Sequence, residues 1–404
     1  SLWALAVNCG YFPYFWRMTS ETTVQYDYIF TGAGLAALMT AYKMVSSPAF
    51  QDQTLLLLDE DAKKTNDRTW CFWSTAPSIW DGALAKHWDV AWFASEAFSR
   101  DLPLQPYRYQ MIRGIDFYQQ VLTLLQQHPK VTFVQEKVTD IEETEQQIFV
   151  KTTEAVYYGK RVLNSIYNPA LVARQNEYPV LQQHFVGWFV QTKEKVFTAE
   201  KPTFMDFSVA QKGNTRFMYV LPTSATEALV EYTLFSANLL PKAEYDPAIA
   251  AYLQQLGVTR YNIQEKEQGS IPMTCYPFWK ANTKNVLNIG TAGGWTKAST
   301  GYTFRNSDKK SDALVHFLQS DLPFTALGRR TKFWWYDLLL LDILDRSNEL
   351  GSVIFSKLFQ KGKPDLIFKF LDEETSFFED LQVIWKCPKV PFLKALVRVV
   401  FRLK

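Results

Sequence analysis

Cysteine and histidine, the residues that build disulfide frameworks and most zinc sites, are scarce in this sequence. Each occurs four times among 404 residues. The cysteines are Cys9, Cys71, Cys275 and Cys387. No CxxC spacing and no HxxxH pair is present, so the sequence predicts neither a disulfide framework nor a metal site. Dispersed thiols are typical of a reducing compartment, and we expect a cytoplasmic protein.

An excess of charge of either sign is also lacking, since the sequence has 43 basic and 41 acidic residues and a net charge of +2. Proteins that bind nucleic acid usually carry a basic excess, so no nucleic-acid partner is predicted. No apolar run approaches the roughly 20 residues that span a bilayer. Aromatic residues, in contrast, reach 16 %. This abundance suits a large core or a long apolar ligand.

The start of the chain differs from a typical signal peptide, because its short apolar stretch has no basic residue before it. Met18 is followed by polar residues and then by a strand pattern. We expect residues 1–23 to be an N-terminal extension outside the fold, with Met18 as the true start. The alternative is a small anchor at a membrane surface.

A strand, a glycine turn and a helix follow one another in VQYDYIFTGAGLAA. Gly32, Gly34 and Ala37 form a GxGxxA motif: the first glycine permits a tight turn, the second lets the backbone approach a pyrophosphate, and the small third residue lets helix and strand pack closely. Asp59 ends the apolar strand TLLLLD, where an acid is expected to bond a ribose hydroxyl. The order of these features predicts a dinucleotide site; the alternative is a structural turn.

A second glycine turn follows the strand pattern NVLNI and contains Gly290, Gly293 and Gly294. Its N–H groups are placed to reach the flavin side of a dinucleotide. An N-terminal first motif on a long chain with this second turn favours FAD over NAD. An ordinary strand-to-helix turn is the alternative.

These patterns predict an α/β fold with a Rossmann-type FAD-binding domain, an inserted antiparallel β-sheet substrate domain and a C-terminal helical region. The middle of the chain changes to strands with aromatic alternation, such as HFVGWFVQT and EALVEYTLFS. The expected segments are 24–170 and 266–307 for the FAD-binding domain, 171–265 for the substrate sheet, and 308–404 for the helical region with a possible membrane contact.

Seven segments in order carry a family resemblance that covers most of the chain after Tyr26. They are DYIFTGAGLAAL, DRTWCFW, QHFVGW, PTFMDFSV, FMYVLPTSATEALVEYTLFS, GSIPM and NIGTAGGWTKASTGYTF. Together they resemble the lycopene β-cyclase family of bacteria. The glycine motif is common to many flavoproteins, whereas RTWCFW, FMDFSV and YVLPTSATEALVEYT are much more specific.

The resemblance implies a flavoprotein that uses reduced FAD, with NAD(P)H as the reductant, and acts on lycopene. A proton would add to the terminal double bond, a neighbouring double bond would attack the carbocation, and a proton would then leave. The products would be γ-carotene and then β-carotene, with β-ionone rings and no net redox change.

The implied chemistry needs an acid in apolar surroundings, because burial raises a carboxyl pKa and keeps the proton on it near neutrality. Glu231 in ALVEYTLF matches the family's essential glutamate and is the predicted general acid. A salt-bridged or edge-strand glutamate is the alternative. Asp206 in FMDFS is a second catalytic candidate, which would orient Glu231, accept the final proton or only pair with a basic residue.

Further residues are candidates for the cofactor and the cation. Arg68 in DRTW would contact a cofactor phosphate or ribose, unless it is a surface arginine. Thr300, Gly301 and Tyr302 would line the flavin ring. Aromatic ring faces attract cations, and the candidates for this role are Tyr219, Tyr232, Trp188 and Phe204.

Two C-terminal segments have competing interpretations. FLDEETS is similar to the acidic FLEET motif of plant cyclases, but it lies in a helical pattern, so its acids are predicted to form a solvated face. In the tail KVPFLKALVRVVFRLK, Lys394, Arg398 and Arg402 would share one helical face. A basic amphipathic helix of this kind can lie on an anionic membrane. We expect peripheral association; a helix packed on the domain is the alternative.

Two other functions remain open. A flavin-dependent oxidoreductase, such as a prenyl reductase or an aromatic hydroxylase, would consume NAD(P)H in step with product. A carotenoid- or lipid-binding protein without catalysis would keep an apolar tunnel but would not depend on Glu231.

Overall fold

The structure, a computed structural model, describes residues 25–402. The extension predicted for residues 1–23 therefore lies outside the described residues. The strands are β1 (Gln25–Thr31), β2 (Leu55–Asp59), β3 (Thr69–Ser74), β4 (Leu84–Trp88), β5 (Val90–Ala94), β6 (Ser99–Pro103), β7 (Arg108–Arg113), β8 (Val131–Gln135), β9 (Val138–Glu143), β10 (Ile148–Thr152), β11 (Val156–Asn164), β12 (Val180–Thr192), β13 (Thr203–Asp206), β14 (Thr215–Pro222), β15 (Glu227–Ser236), β16 (Tyr261–Thr274) and β17 (Val286–Asn288). The α-helices are α1 (Leu35–Val45), α2 (Gly114–Gln127), α3 (Pro169–Ala173), α4 (Tyr245–Gln255), α5 (Phe304–Phe317), α6 (Lys332–Arg346), α7 (Leu350–Lys361), α8 (Pro364–Leu371), α9 (Phe377–Ile384) and α10 (Lys389–Arg402).

The first sheet forms around the predicted strand, glycine turn and helix. Its parallel strands lie in the order β8–β2–β1–β11, with β17 parallel to the end of β11 and the β9–β10 hairpin antiparallel beside its start. The four leucines of β2, residues 55–58, are fully buried. A run buried on both faces is typical of a parallel strand between two layers. Helices α1, α2 and α5 pack together against one of those faces.

The second sheet has seven strands in the order β16–β12–β15–β14–β13–β5–β6. All neighbours are antiparallel except β13 and β5, which are parallel. The sheet crosses the predicted segment boundaries, since β5 and β6 come from segment 24–170 and β16 runs beyond residue 265 to Thr274. Strands β3, β7 and β4 form a separate antiparallel sheet.

Both faces of the second sheet are covered. Helix α4 packs on one face, where Met218, Val230 and Tyr232 meet Ile249 and Tyr252. On the other face, side chains of β14 and β15 join a large aromatic core with α6, α7 and α8. Successive residues of a strand point to opposite faces. Each residue of the second sheet therefore belongs either to the α4 side or to the side that faces the C-terminal helices.

The acidic segment FLDEETS does not form a solvated face, so that prediction is wrong. Asp372 and Asp380 are 4 % and 0 % exposed. Asp380 lies 2.6 Å from Lys332 Nζ, and Glu373 lies 3.1 Å from the buried Lys297 Nζ. Buried carboxylates need such partners, because an unpaired charge is costly to desolvate. The pair of Asp380 with Lys332 ties α9 to α6, and the pair of Glu373 with Lys297 ties the loop after α8 to the segment after the second glycine turn.

Helix α10 packs on α6 through one face and leaves the other exposed. Ala395 and Val399 are buried, and Arg398 Nη2 lies 2.5 Å from Asp342 of α6. Arg398 is therefore engaged within the protein, whereas Lys394 is exposed. Among residues 25–402, no helix is both long and apolar enough to cross a membrane.

Candidate active site

A cavity of about 450 Å³ lies between the carboxyl ends of the first sheet and the face of the second sheet that looks toward the C-terminal helices. The turns after β1, β11 and β17 reach it through Gly34, Ser165 and Gly290. Glu231 of β15 and Tyr219 of β14 line it from the second sheet. Open parallel sheets commonly bind ligands outside the carboxyl ends of their strands. The fold thus brings the predicted general acid to the same cavity as both glycine turns.

The N-terminus of α1 is open toward this cavity. No side chain caps it and its first turn contains no acidic residue. Its first N–H groups therefore have no partner within the helix, and the positive end of the helix dipole favours an anion there. A Cβ added to Gly34 would meet no atom within 4 Å, whereas one added to Gly32, at φ +84°, would lie 2.6 Å from Ser165 Oγ. Gly34 thus leaves room beside the helix, while Gly32 shapes the turn.

Asp59 braces the first glycine turn from the end of β2. Its Oδ2 accepts a hydrogen bond from the Ala33 N–H at 2.5 Å, and its Oδ1 accepts one from the Asp61 N–H at 2.8 Å. Lys63 Nζ lies 3.3 Å from the same carboxylate. Ala37 is fully buried in α1. A bond from Asp59 to a ribose stays a prediction.

The second glycine turn is divided between two cavities. Gly290 has φ +60°, and a Cβ added to it would lie 3.2 Å from the Ala36 Cβ, so the turn approaches α1 closely. Gly290 lines the main cavity. Gly293 and Gly294 instead line a neighbouring cavity of about 300 Å³. The structure therefore places one of the three predicted glycines beside Gly34 and Glu231.

Polar groups in the cavity wall are placed to bind a ligand. Three buried side-chain atoms there have no hydrogen-bond partner in the described part of the chain: Gln183 Oε1, Thr300 Oγ1 and Ser307 Oγ. Arg68 also lines the cavity; it is half exposed and its Nη2 lies 2.6 Å from Asp67 Oδ2. Unpartnered buried polar atoms are rare in native proteins and point to a bound molecule or water.

Two carboxyl groups stand side by side at the second-sheet end of the cavity. Glu231 and Glu267 both line it, both are paired with Gly187 of β12, and their carboxyl groups lie within hydrogen-bonding reach of each other. Thr233 donates a hydrogen bond to Glu231 at 2.6 Å, and Thr69 donates one to Glu267 at 2.8 Å. Burial away from water raises the pKa of both carboxyl groups, and the negative charge of Glu231 raises the pKa of Glu267 further. The pair thus holds protons at a pH where exposed glutamates have lost them.

Tyrosines surround the acid pair on the cavity side. Tyr219 and Tyr302 have their hydroxyl oxygens 3.4 Å apart, and Tyr109 lies next to Cys71. Burial raises the pKa of Tyr219 and Tyr302, so both stay neutral. Of the four aromatic residues predicted to face a cation, Tyr219 lines the cavity, whereas Trp188 and Tyr232 pack on the α4 side and Phe204 lies in the core. Thr300, Gly301 and Tyr302 line it as well.

Asp206 lies away from the cavity. It is 3 % exposed and accepts hydrogen bonds from Tyr252 Oη at 2.8 Å and from the Ser208 N–H at 2.8 Å. Tyr252 belongs to α4, which covers the opposite face of the second sheet. These contacts support the structural alternative for Asp206 and do not bring it to Glu231.

Glu267 is an acid that the sequence patterns did not single out. It precedes the segment GSIPM in a strand of alternating polar residues, where it resembles an ordinary surface glutamate. A usable signal was Gly187 inside the apolar strand QHFVGWFV, because a glycine within a strand often marks a close approach by another group. No cluster of three or more metal-binding side chains occurs among residues 25–402.

Solved structures share this fold at low sequence identity. A geranylgeranyl bacteriochlorophyll reductase-like protein from Thermoplasma acidophilum superimposes with a TM-score of 0.58 at 12 % identity, covering 93 % of this chain and 99 % of that one. A p-nitrophenol 4-monooxygenase from Pseudomonas putida gives 0.55 at 12 % identity, covering 90 % and 96 %. The flavin-dependent brominase Bmp2 gives 0.54 at 12 % identity, covering 93 % and 99 %. The fold is that of the flavin-dependent oxidoreductases and halogenases, which confirms the predicted fold class.

Within that class, the chain belongs to the lycopene cyclase family, whose model, described as lycopene cyclase protein, matches residues 27–397. A lycopene beta-cyclase from Pantoea ananas is 28 % identical over 211 residues, which are 48 % of this chain and 54 % of that protein. One from Paracoccus sp. is 28 % identical over 143 residues, or 33 % and 35 %. The matched segments thus span about half or less of these relatives. The family resemblance seen in the sequence is confirmed.

The acid pair is expected to make the free energy of unfolding fall as pH rises. The pKa values of Glu231 and Glu267 are raised above 4.5, so the folded protein keeps protons that the unfolded chain releases. Their contribution is fully present below pH 4.5 and is lost as pH rises toward the raised values. Each pKa unit by which folding raises one of these groups corresponds to about 1.4 kcal/mol in the free energy of unfolding. Urea unfolding between pH 4.5 and 9 measures this slope.

The double variant Glu231→Gln/Glu267→Gln should show a flatter slope, because neither amide ionises. Glu227→Gln, at the exposed start of the same strand β15, is the matched control and should keep the parental slope. An equal slope in the double variant and the parent would mean that the two carboxyl groups titrate like exposed ones.

Proposed function

We propose that this protein is a lycopene β-cyclase, which closes the ψ ends of lycopene to β-ionone rings by acid catalysis without net redox change. The observation that carries the proposal is a buried, proton-holding Glu231 in the same cavity as Gly34 and Gly290, in a member of the lycopene cyclase family. The relatives named lycopene beta-cyclase support the substrate class. The products are γ-carotene and then β-carotene.

The general acid of the proposal is Glu231. Its O–H bond breaks as a C–H bond forms at the terminal double bond of the polyene, which leaves a carbocation. The neighbouring double bond attacks that carbon and closes the ring. Loss of a proton to the Glu231 carboxylate then restores a double bond and returns the acid to its starting state. The reaction consumes no proton overall, so one carboxyl group serves as acid and then as base.

The cavity wall suits a transient cation. Tyr219 and Tyr302 are neutral and present aromatic rings whose electron-rich faces attract positive charge. Leu221 and Leu229 supply apolar contacts for a hydrocarbon. Exclusion of water by these side chains keeps the cation from being captured as an alcohol. The second sheet thus acts as the substrate domain of the proposal.

FAD is the proposed cofactor, and the cavity fits it. The open N-terminus of α1 and Gly34 would hold the pyrophosphate, with Gly290 and Arg68 as further contacts in the cavity. Asp59, outside the cavity lining, would bond a ribose hydroxyl from the end of β2. The unpartnered Gln183, Thr300 and Ser307 offer polar groups to the same molecule. Bound in its reduced form, FAD supplies negative potential near the site where the substrate cation forms. NAD(P)H is the proposed reductant.

Two glycine variants separate cofactor binding from folding. Gly34→Ala should weaken FAD binding about tenfold or more while leaving the unfolding temperature nearly unchanged, because its Cβ points into open space that a pyrophosphate would use. Gly32→Ala should destabilise the protein itself by about 1–3 kcal/mol, because a Cβ at φ +84° meets Ser165. Flavin fluorescence titration and thermal unfolding of both variants measure the two effects. Equal FAD affinity in Gly34→Ala and the parent would contradict this site.

Replacing Glu231 should abolish cyclisation without loss of cofactor. Glu231→Gln keeps the size of the side chain but has no proton to give, so the rate should fall by roughly 10²–10⁴-fold. Pigment analysis in a lycopene-accumulating bacterium measures product, and flavin absorbance measures loading. Glu227→Gln on the same strand is the control. Ring formation near the parental rate in Glu231→Gln would identify another acid as the proton donor.

The same assay separates the two other functions. A prenyl reductase or aromatic hydroxylase would oxidise one NAD(P)H for each product, whereas a cyclase needs reductant only to prime the flavin. A carotenoid-binding protein without catalysis would leave lycopene unchanged. The raised pKa of Glu231 supplies the acid that a cyclase needs, and the match to the lycopene cyclase family favours that function over the other two.

Peripheral association with the membrane is part of the proposal, since lycopene resides in lipid. Consecutive helices expose large apolar side chains that we call the terminal apolar surface: Phe377, Phe378, Leu381, Ile384 and Trp385 in or beside α9, and Val390, Leu393, Leu396, Val397, Val400 and Phe401 in α10. Lys389 and Lys394 lie among them. Apolar side chains next to lysines suit the interface of an anionic membrane. We place the protein in the cytoplasm, on the membrane surface.

Vesicle flotation tests the terminal apolar surface. The triple variant Phe378→Ser/Trp385→Ser/Phe401→Ser removes three side chains that are 70–75 % exposed, so folding should be unaffected and binding to anionic vesicles should fall at least about tenfold. Leu239→Ser, at an exposed leucine outside these helices, is the matched control. Equal flotation of the triple variant and the control would show that the exposed side chains of α9 and α10 do not contribute to membrane binding.

A further inference from the structure

The acid pair exists because one residue between its members has no side chain. Strand β12 lies between β15 and β16, and Gly187 is paired with Glu231 on one side and with Glu267 on the other. A Cβ added to Gly187 would lie 2.8 Å from the Leu229 Cδ1, 3.2 Å from the Glu267 Cγ and 3.6 Å from the Glu231 Cβ, so it would clash with Leu229 and crowd the space between the two glutamates. Any side chain at position 187 would stand between the two glutamates. Because Gly187 has no side chain, the two carboxyl groups can approach each other across β12.

The two carboxyl groups are not equivalent. Glu267 is 4 % exposed, whereas Glu231 is partly exposed to the cavity. Glu231 receives hydrogen bonds from both Thr233 and Glu267, and both bonds favour its ionised form. Glu267 gives its proton to that bond and faces the charge of Glu231, so both effects keep it protonated. The proton that leaves most readily therefore belongs to Glu231.

We propose, on the basis of the function proposed above, that Glu267 is a positioning residue that retains its proton and donates an O–H hydrogen bond to Glu231 while Glu231 releases and recovers a proton. The pair starts with two protons. Transfer from Glu231 to the polyene leaves a carboxylate that Glu267 and Thr233 stabilise, which makes Glu231 a stronger acid. The ring carbon then returns a proton to Glu231, and the pair again holds two.

The charged groups around the pair are consistent with Glu231 as the carboxyl group that releases its proton and Glu267 as the one that retains it. Glu265, the nearest acid along β16, is ion-paired with Arg113 and also bonded by Asn66, so its charge is largely compensated. The other titratable side chains that contact the cavity or act on the pair are Asp67, Arg68, Cys71, Tyr109, Tyr219 and Tyr302. Arg68 pairs with Asp67, and burial keeps the thiol and the tyrosines neutral by raising their pKa values. Glu267 is therefore the one titratable donor to Glu231 in the described part of the chain, and it acts on the acidity of Glu231 together with the Thr233 hydroxyl.

Two substitutions of Glu267 test this role in the flavin-loaded full chain. In Glu267→Gln the amide N–H still donates to Glu231, so cyclisation near pH 7 should stay within about threefold of the parent. Glu267→Leu removes the donor; cyclisation should fall roughly ten- to hundredfold, as expected for a lost bond to a charged group. The activity of Glu267→Leu should also persist to higher pH, because loss of the donor raises the pKa of Glu231. Rates measured against pH, with Glu227→Gln as the control, give these values.

Infrared titration of protonated carboxyl groups gives a second measurement that needs no lycopene. Spectra are taken as the difference from Glu231→Gln/Glu267→Gln, which removes the signal of other buried acids such as Asp372, whose pKa burial also raises. In these differences the parent should show two linked carboxyl titrations, and Glu267→Gln should show one. Glu267→Leu should show one at higher pH. Independent titrations in the parent would overturn the proposal, as would equal cyclisation rates in Glu267→Gln and Glu267→Leu. Linked titrations in a protein that forms no ring would support the proton-sharing pair and reject the cyclase function alone.

Discussion

The burial of two carboxyl groups side by side, with no basic residue of the described chain bonded to either, is the constraint on which the site depends. Desolvation disfavours charge on both Glu231 and Glu267, and hydroxyl groups, not cations, supply their other hydrogen bonds. A lysine or arginine in place of Thr233 or Thr69 would hold the carboxylates ionised and end their use as acids. Gly187 leaves room for the pair, and buried tyrosines line the cavity beside it.

The architecture brings this pair to the end of the first sheet at which both glycine turns lie. Carboxyl ends of β1, β11 and β17 face the second sheet, so one cavity has glycine turns and an open helix N-terminus on one side and the acid pair on the other. Ion pairs of the nearly inaccessible Lys297 with Asp337 and Glu373 fasten the segment after the second glycine turn to the C-terminal helices. Those helices also carry the terminal apolar surface, so that surface and the cavity wall belong to connected parts of the fold.

Successive residues of a strand point to opposite faces of the sheet, and this alternation explains why Glu231 lines the cavity and Asp206 does not. Both acids lie in strands rich in aromatic residues, and nothing local separates them. In the folded sheet, Glu231 is opposite Tyr219 and Asp206 is opposite Met218, and these adjacent residues of β14 point to opposite faces. Local sequence is equally uninformative about the buried acids Asp372 and Asp380, because the polar residues around them are typical of a solvated face. In the structure, Arg305 of α5 pairs with Asp372 and Lys332 of α6 pairs with Asp380.

By itself, the sequence determined what is local: the first glycine turn, the apolar strand that ends at Asp59, the change to antiparallel strands and the family. Such features follow from residue spacing within one segment. The tertiary structure alone decided which face of the second sheet borders the cavity, that β5 and β6 join it, and that Glu267 meets Glu231 across Gly187. Strand order and register are set by packing between distant segments, and neither is encoded in the spacing of any one of them.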